Sequence, residues 1–181
     1  WILLFLIPAI TMKTFADEFQ SGTIEILKTR PISNWQIVLG KFFAALSLIV
    51  IAIIPTFVYV YSVNQLGNPV GNIDYGSTIG SYLGLFLLAS SYASIGLFTS
   101  TLSKNQIVAF LLGVFIAFFF YYGFDAIADL FGSSSFTVKL FGMNEHFKSI
   151  SRGVIDTRDI LYFLSITIFF LFITKQKLAN E

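Results

Sequence analysis

The sequence predicts an all-α, polytopic membrane protein, and three observations lead there. The first is composition. Apolar residues make up 56% of the 181 residues and charged residues 12%, with a mean hydropathy of +0.80. An ordinary soluble domain carries about 25% charged residues, and so few charges cannot cover a water-facing surface. The second is the clumping of charge. No Asp, Glu, Lys or Arg falls within Phe42–Ile73, Tyr75–Ser103 or Asn105–Phe124. Each gap holds the roughly 20 apolar residues that a helix needs to cross a bilayer. The third is period. IVAFLLGVFIAFFFYY (Ile107–Tyr122) lacks the alternation of a membrane-barrel strand, and only helices and closed barrels satisfy their backbone groups in lipid.

The elements follow in order within one membrane domain over residues 1–181, read as one partial and four full transmembrane helices. Trp1–Met12 is apolar but too short to span, and no basic region precedes it as a signal peptide requires. It reads as the tail of a membrane helix whose start lies upstream. The polar stretch 13–34 leads into a long span, Trp35–Val63, with a kink expected at Pro55. Asn64–Gly76 is a turn-rich loop. Two further spans, Ser77–Leu102 and Ile107–Phe124, are joined by the tight connection Ser103–Gln106. An irregular stretch, 125–156, precedes the last span at Thr157–Thr174. Its uncharged core is short and is extended by Lys175 snorkelling and Asp159 in the headgroups. The remaining tail is KQKLANE.

Basic residues set the orientation, because short cytoplasmic loops are rich in Lys and Arg. Lys13, Lys28 and Arg30 place the 13–34 loop inside, with Lys104 and the Lys175–Lys177 tail on the same side. Asn64–Gly76 carries no basic residue and faces out. The 125–156 stretch falls outside by alternation, although it holds Lys139, Lys148 and Arg152 beside Asp125, Asp129, Glu145 and Asp156.

The 13–34 loop carries the most information. Thr14 can cap a short helix with Asp17 and Glu18 in its first turn, where the helix dipole favours acids. Gly22 weakens that helix, and Thr23 can cap a second containing Glu25, with Ile24, Ile26 and Leu27 as apolar contacts. Pro31 stops it, since the residue before proline resists helical geometry. Ser33 or Asn34 then caps the next span. The residues alone leave two readings open: an amphipathic linker parked on the lipid surface, or a docking element for a cytoplasmic partner.

Elsewhere the chain is read structurally. Met143, Phe147, Ile150 and Val154 recur at helical spacing opposite Glu145, Lys148, Ser149 and Arg152. They predict an amphipathic helix on the outer leaflet, an anchor or a gate. Ala89, Ala93, Gly96 and Ser100 form a small-residue stripe. Such stripes let helices approach closely, within the chain or at a subunit interface. Asp125 and Asp129 read as solvated loop charges beyond a helix end. His146, the single histidine, reads as an interfacial polar residue.

Several chemistries have no residues to carry them. There is no cysteine, hence no disulfide and no thiolate metal site. GxxxxGK[ST] is absent, since Gly40-Lys41 is followed by Phe42. No HExxH motif and no dense carboxylate cluster suggest catalysis, so the chain reads as a non-enzyme. The net charge of +1 argues against nucleic acid as a partner. No ionisable group lies at mid-depth in a span, whereas ion-driven carriers keep such groups there.

The segment DEFQSGTIEILKTRPISNWQIVLGKFF (Asp17–Phe43) resembles the cytoplasmic loop of ABC-2-type transporter permeases. The matching positions, in order, are Glu18, Gly22, Thr23, Glu25, Leu27, Thr29, Pro31, Ser33, Gly40 and Lys41. Phe141–Leu171 also resembles that family's last outer segment and final helix, and the chain as a whole is most similar to its gliding-motility branch. The resemblance implies a six-helix permease of which helices two to six are present, in a bacterial inner membrane with a cytoplasmic C-terminus. It implies that 13–34 is a coupling element seated in a cleft of a separate ATPase subunit, which would hold the ATP and magnesium. Glu18, Gly22, Thr23, Glu25 and Leu27 would then be the contact residues, with Gly22 allowing the bend and Leu27 filling an apolar pocket. A second permease copy or a homologue would complete the pathway. A membrane anchor for an ATPase in a surface machine, moving no solute, fits the same residues.

Overall fold

The computed structural model describes residues 1–130 and 135–180. Eleven α-helices lie among these residues, without a strand. They are α1 (Ile2–Thr11), α2 (Lys13–Ser21), α3 (Thr23–Lys28), α4 (Asn34–Ile53), α5 (Phe57–Leu66), α6 (Tyr75–Ser100), α7 (Gln106–Phe118), α8 (Phe124–Leu130), α9 (Ser135–Lys139), α10 (Met143–Ser151) and α11 (Thr157–Asn180). Four helical stretches are long and apolar enough to cross a membrane: Asn34–Leu66, Tyr75–Ser100, Gln106–Asp129 and Thr157–Asn180. The all-α polytopic architecture is therefore as expected.

Local chemistry sets the helix starts. Ser33 closes a capping box on α4: its Oγ accepts the Gln36 N–H at 3.3 Å while its own N–H donates to Gln36 Oε1 at 2.8 Å. Asp74 caps α6 through the Ser77 N–H at 3.1 Å, and Asn105 caps α7 through the Ile107 N–H at 2.9 Å. At Pro55 the long span tightens into a 3-10 turn, Ile54–Thr56, before continuing as α5. Proline has no N–H to give the ladder, and the α-helical geometry is interrupted there by this turn.

Helix α6 is the centre of the bundle. Of its most apolar stretch 78% is buried, against 17% for Gln106–Asp129. Lipid supplies no hydrophobic drive between helices, so close van der Waals packing must hold them together. Glycines on α6 provide it. A Cβ at Gly80 would lie 2.2 Å from the Ile150 carbonyl oxygen of α10, and one at Gly96 would lie 2.0 Å from Thr11 Oγ1 of α1. Hydroxyls add polar ties. Ser77 Oγ donates to the Ser151 carbonyl at 2.9 Å, and Ser91 Oγ reaches the Phe163 carbonyl of α11 at 3.2 Å. The α1 end of Gly96 and the α10 end of Gly80 thus lie at opposite ends of α6. The first is called the loop end below and the second the far end.

Several expectations are corrected. Thr14 caps nothing: Met12 stays helical, with its N–H donating to the Pro8 carbonyl at 2.8 Å, so α1 passes almost directly into α2. Thr23 is likewise the first helical residue of α3 rather than its cap, which is Gly22. The last span, expected to end at Thr174, continues helical through Asn180 as α11, the Lys and Gln residues of the tail being good helix formers. Helix α7 does not stop at Phe124; it runs through a π-helical turn, Phe119–Gly123, into α8. Asp125 and Asp129 are consequently not loop charges. Asp125 accepts from Asn144 Nδ2 at 2.5 Å, and Asp129 pairs with Lys139 at 3.1 Å. Helix α10 packs part of its apolar face on α6 rather than leaving it free for lipid. Met143 and Ile150 are fully buried, because Gly80 and Gly84 leave α6 without side chains where α10 lands. Val154 falls outside α10, past the left-handed Gly153. Residues 131–134 of the 125–156 stretch lie outside the described residues.

Gly80→Ala should lower the melting temperature of the detergent-purified protein by several degrees, since backbone blocks the new methyl and overpacking costs about 1–3 kcal/mol. Gly40, with nothing within 4 Å of a Cβ, should tolerate Ala, with stability unchanged or raised by about 0.5–1 kcal/mol. A scan that ranks the two alike would refute the packing assigned to Gly80.

Candidate functional site

The loop end is built from α2, α3 and the connection between α6 and α7. Helix α2 buries Phe15 and Ala16 completely. Its Asp17 accepts from Gln106 Nε2 at the start of α7. From α4, the Lys41 ammonium reaches across. It donates to the Thr14 carbonyl and to Glu18 Oε1, both at 2.6 Å, and stands 4.6 Å over the Phe15 ring. The pair is largely shielded, with side-chain exposures of 18% for Lys41 and 28% for Glu18. Partial burial makes this clamp stronger than a surface ion pair.

At Gly22 the chain turns with φ +72°, a conformation that glycine adopts without steric cost. Helix α3 then buries Ile24 and half-buries Leu27, leaving Thr23, Glu25, Ile26, Thr29 and Arg30 exposed. Ile26 is 63% exposed. Thr29 Oγ1 donates to the Ile26 carbonyl at 2.8 Å, and Pro31 follows. A groove of about 430 Å³ lies beside α3, lined by Phe19, Gly22, Ile24, Glu25, Thr101 and Lys104 among others. A second of about 310 Å³ lies on its other flank, between Leu27, Ile32, Gln36 and Gly40. Helix α3 is therefore a ridge between two troughs.

The five residues singled out in the loop have different environments. Gly22 makes the turn, and Thr23 and Glu25 are on the exposed ridge. Glu18 faces Lys41 within the chain, and Leu27 leans into the second groove beside Ile37. Ile26 and Lys104 also belong to this surface. Ile26 was legible only as one of three apolar residues, and Lys104 joins through tertiary contact. The stripe of Ala89, Ala93, Gly96 and Ser100 is buried inside the monomer, with Gly96 against Thr11, so its close approach is to the chain's own first helix.

His146 is not a free interfacial residue. Its Nδ1 meets Asp159 Oδ1 at 2.6 Å, its Nε2 meets the Leu140 carbonyl at 2.9 Å, and its ring stacks on Tyr162 with centroids 4.0 Å apart. This joins α10 to α11 at the far end. Among the described residues no three of His, Cys, Asp and Glu converge as a metal site would need. The loop-end ridge has neither a nucleophile aligned with a base nor a phosphate cradle. What it offers is a shaped contact surface.

A family model described as ABC-2 family transporter protein matches residues 2–151, from α1 through α10. The chain belongs to the ABC-2 transporter family. Comparison with curated proteins and with solved structures finds no match. As an ABC-2 protein the chain is a permease subunit of an ABC transporter, a multi-pass membrane transport component. Family membership implies an ABC ATPase as partner.

Lys41→Met should free α2 from α4 while leaving the bundle intact. Losing the charge-assisted bonds of a part-buried pair costs about 1–2 kcal/mol. Hydrogen exchange of the Thr14–Leu27 amides should therefore quicken roughly tenfold, with α6 amides unchanged. Equal exchange in both proteins would show that the clamp holds nothing.

Proposed function

We infer that this ABC-2 permease uses the α2–α3 ridge to dock a separate ATPase and to receive its motion, driving export of a substrate across a bacterial inner membrane. The observation that carries this is the exposed edge of α3. Thr23, Glu25 and Ile26 project between two grooves, on a helix joined to α2 through Gly22 and to α4 through Pro31 and the Ser33 capping box. An apolar knob beside an acid, flanked by troughs, suits a protein cleft better than a lipid headgroup layer. Anionic lipid would select Lys and Arg on an exposed helix face.

The loop end is taken as cytoplasmic. Lys13, Arg30, Lys104, Lys175 and Lys177 all belong to it, as the positive-inside pattern requires, and the C-terminus then lies there too. ATP and magnesium would be held by the partner. The subunit would act with a second permease copy or homologue, and the similarity to the gliding-motility branch suggests a surface-motility setting. Among the five loop residues, Glu25 and Thr23 are assigned direct contact, with Ile26 as the apolar anchor. Gly22 sets the bend, Leu27 shapes a trough, and Glu18 holds α2 in place through Lys41.

Ile26→Asp and Glu25→Lys should each reduce the ATPase recovered with purified permease by about tenfold, the loss of one interface hot spot of roughly 1.4–2 kcal/mol. Both side chains are exposed, so melting temperature should not move. Unchanged co-purification in both variants would remove the docking assignment. ATP hydrolysis by the assembled complex that moves no solute would favour a membrane scaffold instead.

A further inference from the structure

At the far end, His146 of α10 joins three segments. Its Nδ1 lies 2.6 Å from Asp159 Oδ1 of α11, and its Nε2 lies 2.9 Å from the Leu140 carbonyl in the turn before α10. A carbonyl oxygen only accepts hydrogen bonds, and so does an ionised carboxylate. A neutral imidazole has one N–H and can serve one of the two. The other contact would then set a ring lone pair against an oxygen. Both contacts are satisfied only when the pair carries one more proton, as imidazolium beside carboxylate or as neutral imidazole beside carboxylic acid. Such a proton belongs to the pair rather than to either residue.

Burial makes that proton decisive. Asp159 is 6% exposed, and its Oδ2 is buried without a hydrogen-bond partner among the described residues. A buried carboxylate needs a counter-charge, and among the described residues its ion-pair partner is His146. The other charged groups nearby are engaged elsewhere. Asp125 of α8 accepts from Asn144, Lys139 of α9 pairs with Asp129, and Glu145 pairs with Lys148 on α10 itself. Asp156 accepts the Arg158 N–H, Arg152 Nε donates to the Lys148 carbonyl, and both arginines are exposed. Tyr162 offers His146 its ring face, while its hydroxyl donates to the Phe141 carbonyl.

We propose that His146 and Asp159 form a proton-binding site, and that the bound proton fastens α10 and the Leu140 turn to α11. When the proton leaves for water at the far end, either the Asp159 bond or the Leu140 bond is lost. The buried carboxylate is then left without compensation, and α10 loosens. The sign follows from linkage. The fastened form binds the extra proton, so acid holds the joint and its stability falls as pH rises. The joint needs neither ATPase nor cargo, so it stands apart from the docking function inferred above.

The test uses the full chain in phosphatidylcholine vesicles. His146 is the single histidine, so isotope-labelled histidine gives the NMR signals of one ring. Amide-exchange protection of Met143–Ser151 is read alongside, with the Leu87–Leu97 amides of α6 as reference. As pH rises, the ring signals should change in one step. Over that same step α10 protection should fall about tenfold, the scale of one charge-assisted bond, with α6 unchanged. Asp159→Asn removes the charge, and its amide can donate to Nδ1 of a neutral ring. Helix α10 should then stay protected across the whole range. His146→Gln cannot take up the proton, so α10 protection should be low and flat with pH. Three results would overturn the proposal: ring signals that step while α10 protection holds, ring signals that do not step before the bundle unfolds, or either variant keeping the wild-type pH response.

Discussion

Everything in this molecule depends on how closely other helices approach α6. In a bilayer, water does not push helices together, so a central helix earns its position by letting neighbours come near. Gly96 brings α1 in until Thr11 occupies the space of a side chain, and Gly80 does the same for the backbone of α10. Serines on the same helix satisfy their own carbonyls or reach α11, so the spine adds polar ties without stranding donors in lipid. The loop end inherits its geometry from the first contact, since α2 and α3 continue from α1. The far end inherits its geometry from the second, since α10 caps the bundle there.

The loop end is stiff where it meets the bundle and turned sharply where it meets solvent. Met12 keeps α1 and α2 helical across their junction, and Lys41 fastens α2 to α4 through Thr14 and Glu18. Gly22 alone breaks the line. A force applied to α3 would reach α2, and through it α1, by way of that turn, and α4 by way of the short connection to Ser33. A floppy linker would dissipate such a force. The clamp thus bears on the proposed docking by holding α2 in place, through the pairing of Glu18 with Lys41.

Much of this was legible beforehand. Charge-free runs gave the spans because a bilayer tolerates no others, and Pro31, Ser33 and Gly22 announced a stop, a cap and a turn by their own backbone chemistry. Expectations failed where a residue's partner is remote in sequence. Glu18 read as a candidate contact for another protein, and its ion pair with Lys41 was not legible. His146 read only as an interfacial polar residue, because nothing in its neighbourhood points to Asp159 across a turn. Asp125 read as a loop charge, because a π-helical turn that carries α7 onward has no signature among aromatic residues.

The sequence by itself determined that this chain lives in a membrane, how many long helices it forms and which segment between them is worth recognising. Those are matters of composition and of local backbone preference, and they hold whatever the neighbours are. Only the tertiary structure decided which side of each helix is spent inside the monomer. The small-residue stripe of α6 could have served a second subunit or the chain itself, and the contact between Gly96 and Thr11 gives it to the chain. The apolar face of α10 could have rested on lipid, and Gly80 and Gly84 draw it onto α6 instead. A periodic pattern specifies that a face will be covered; the shape of what covers it is set by residues far away.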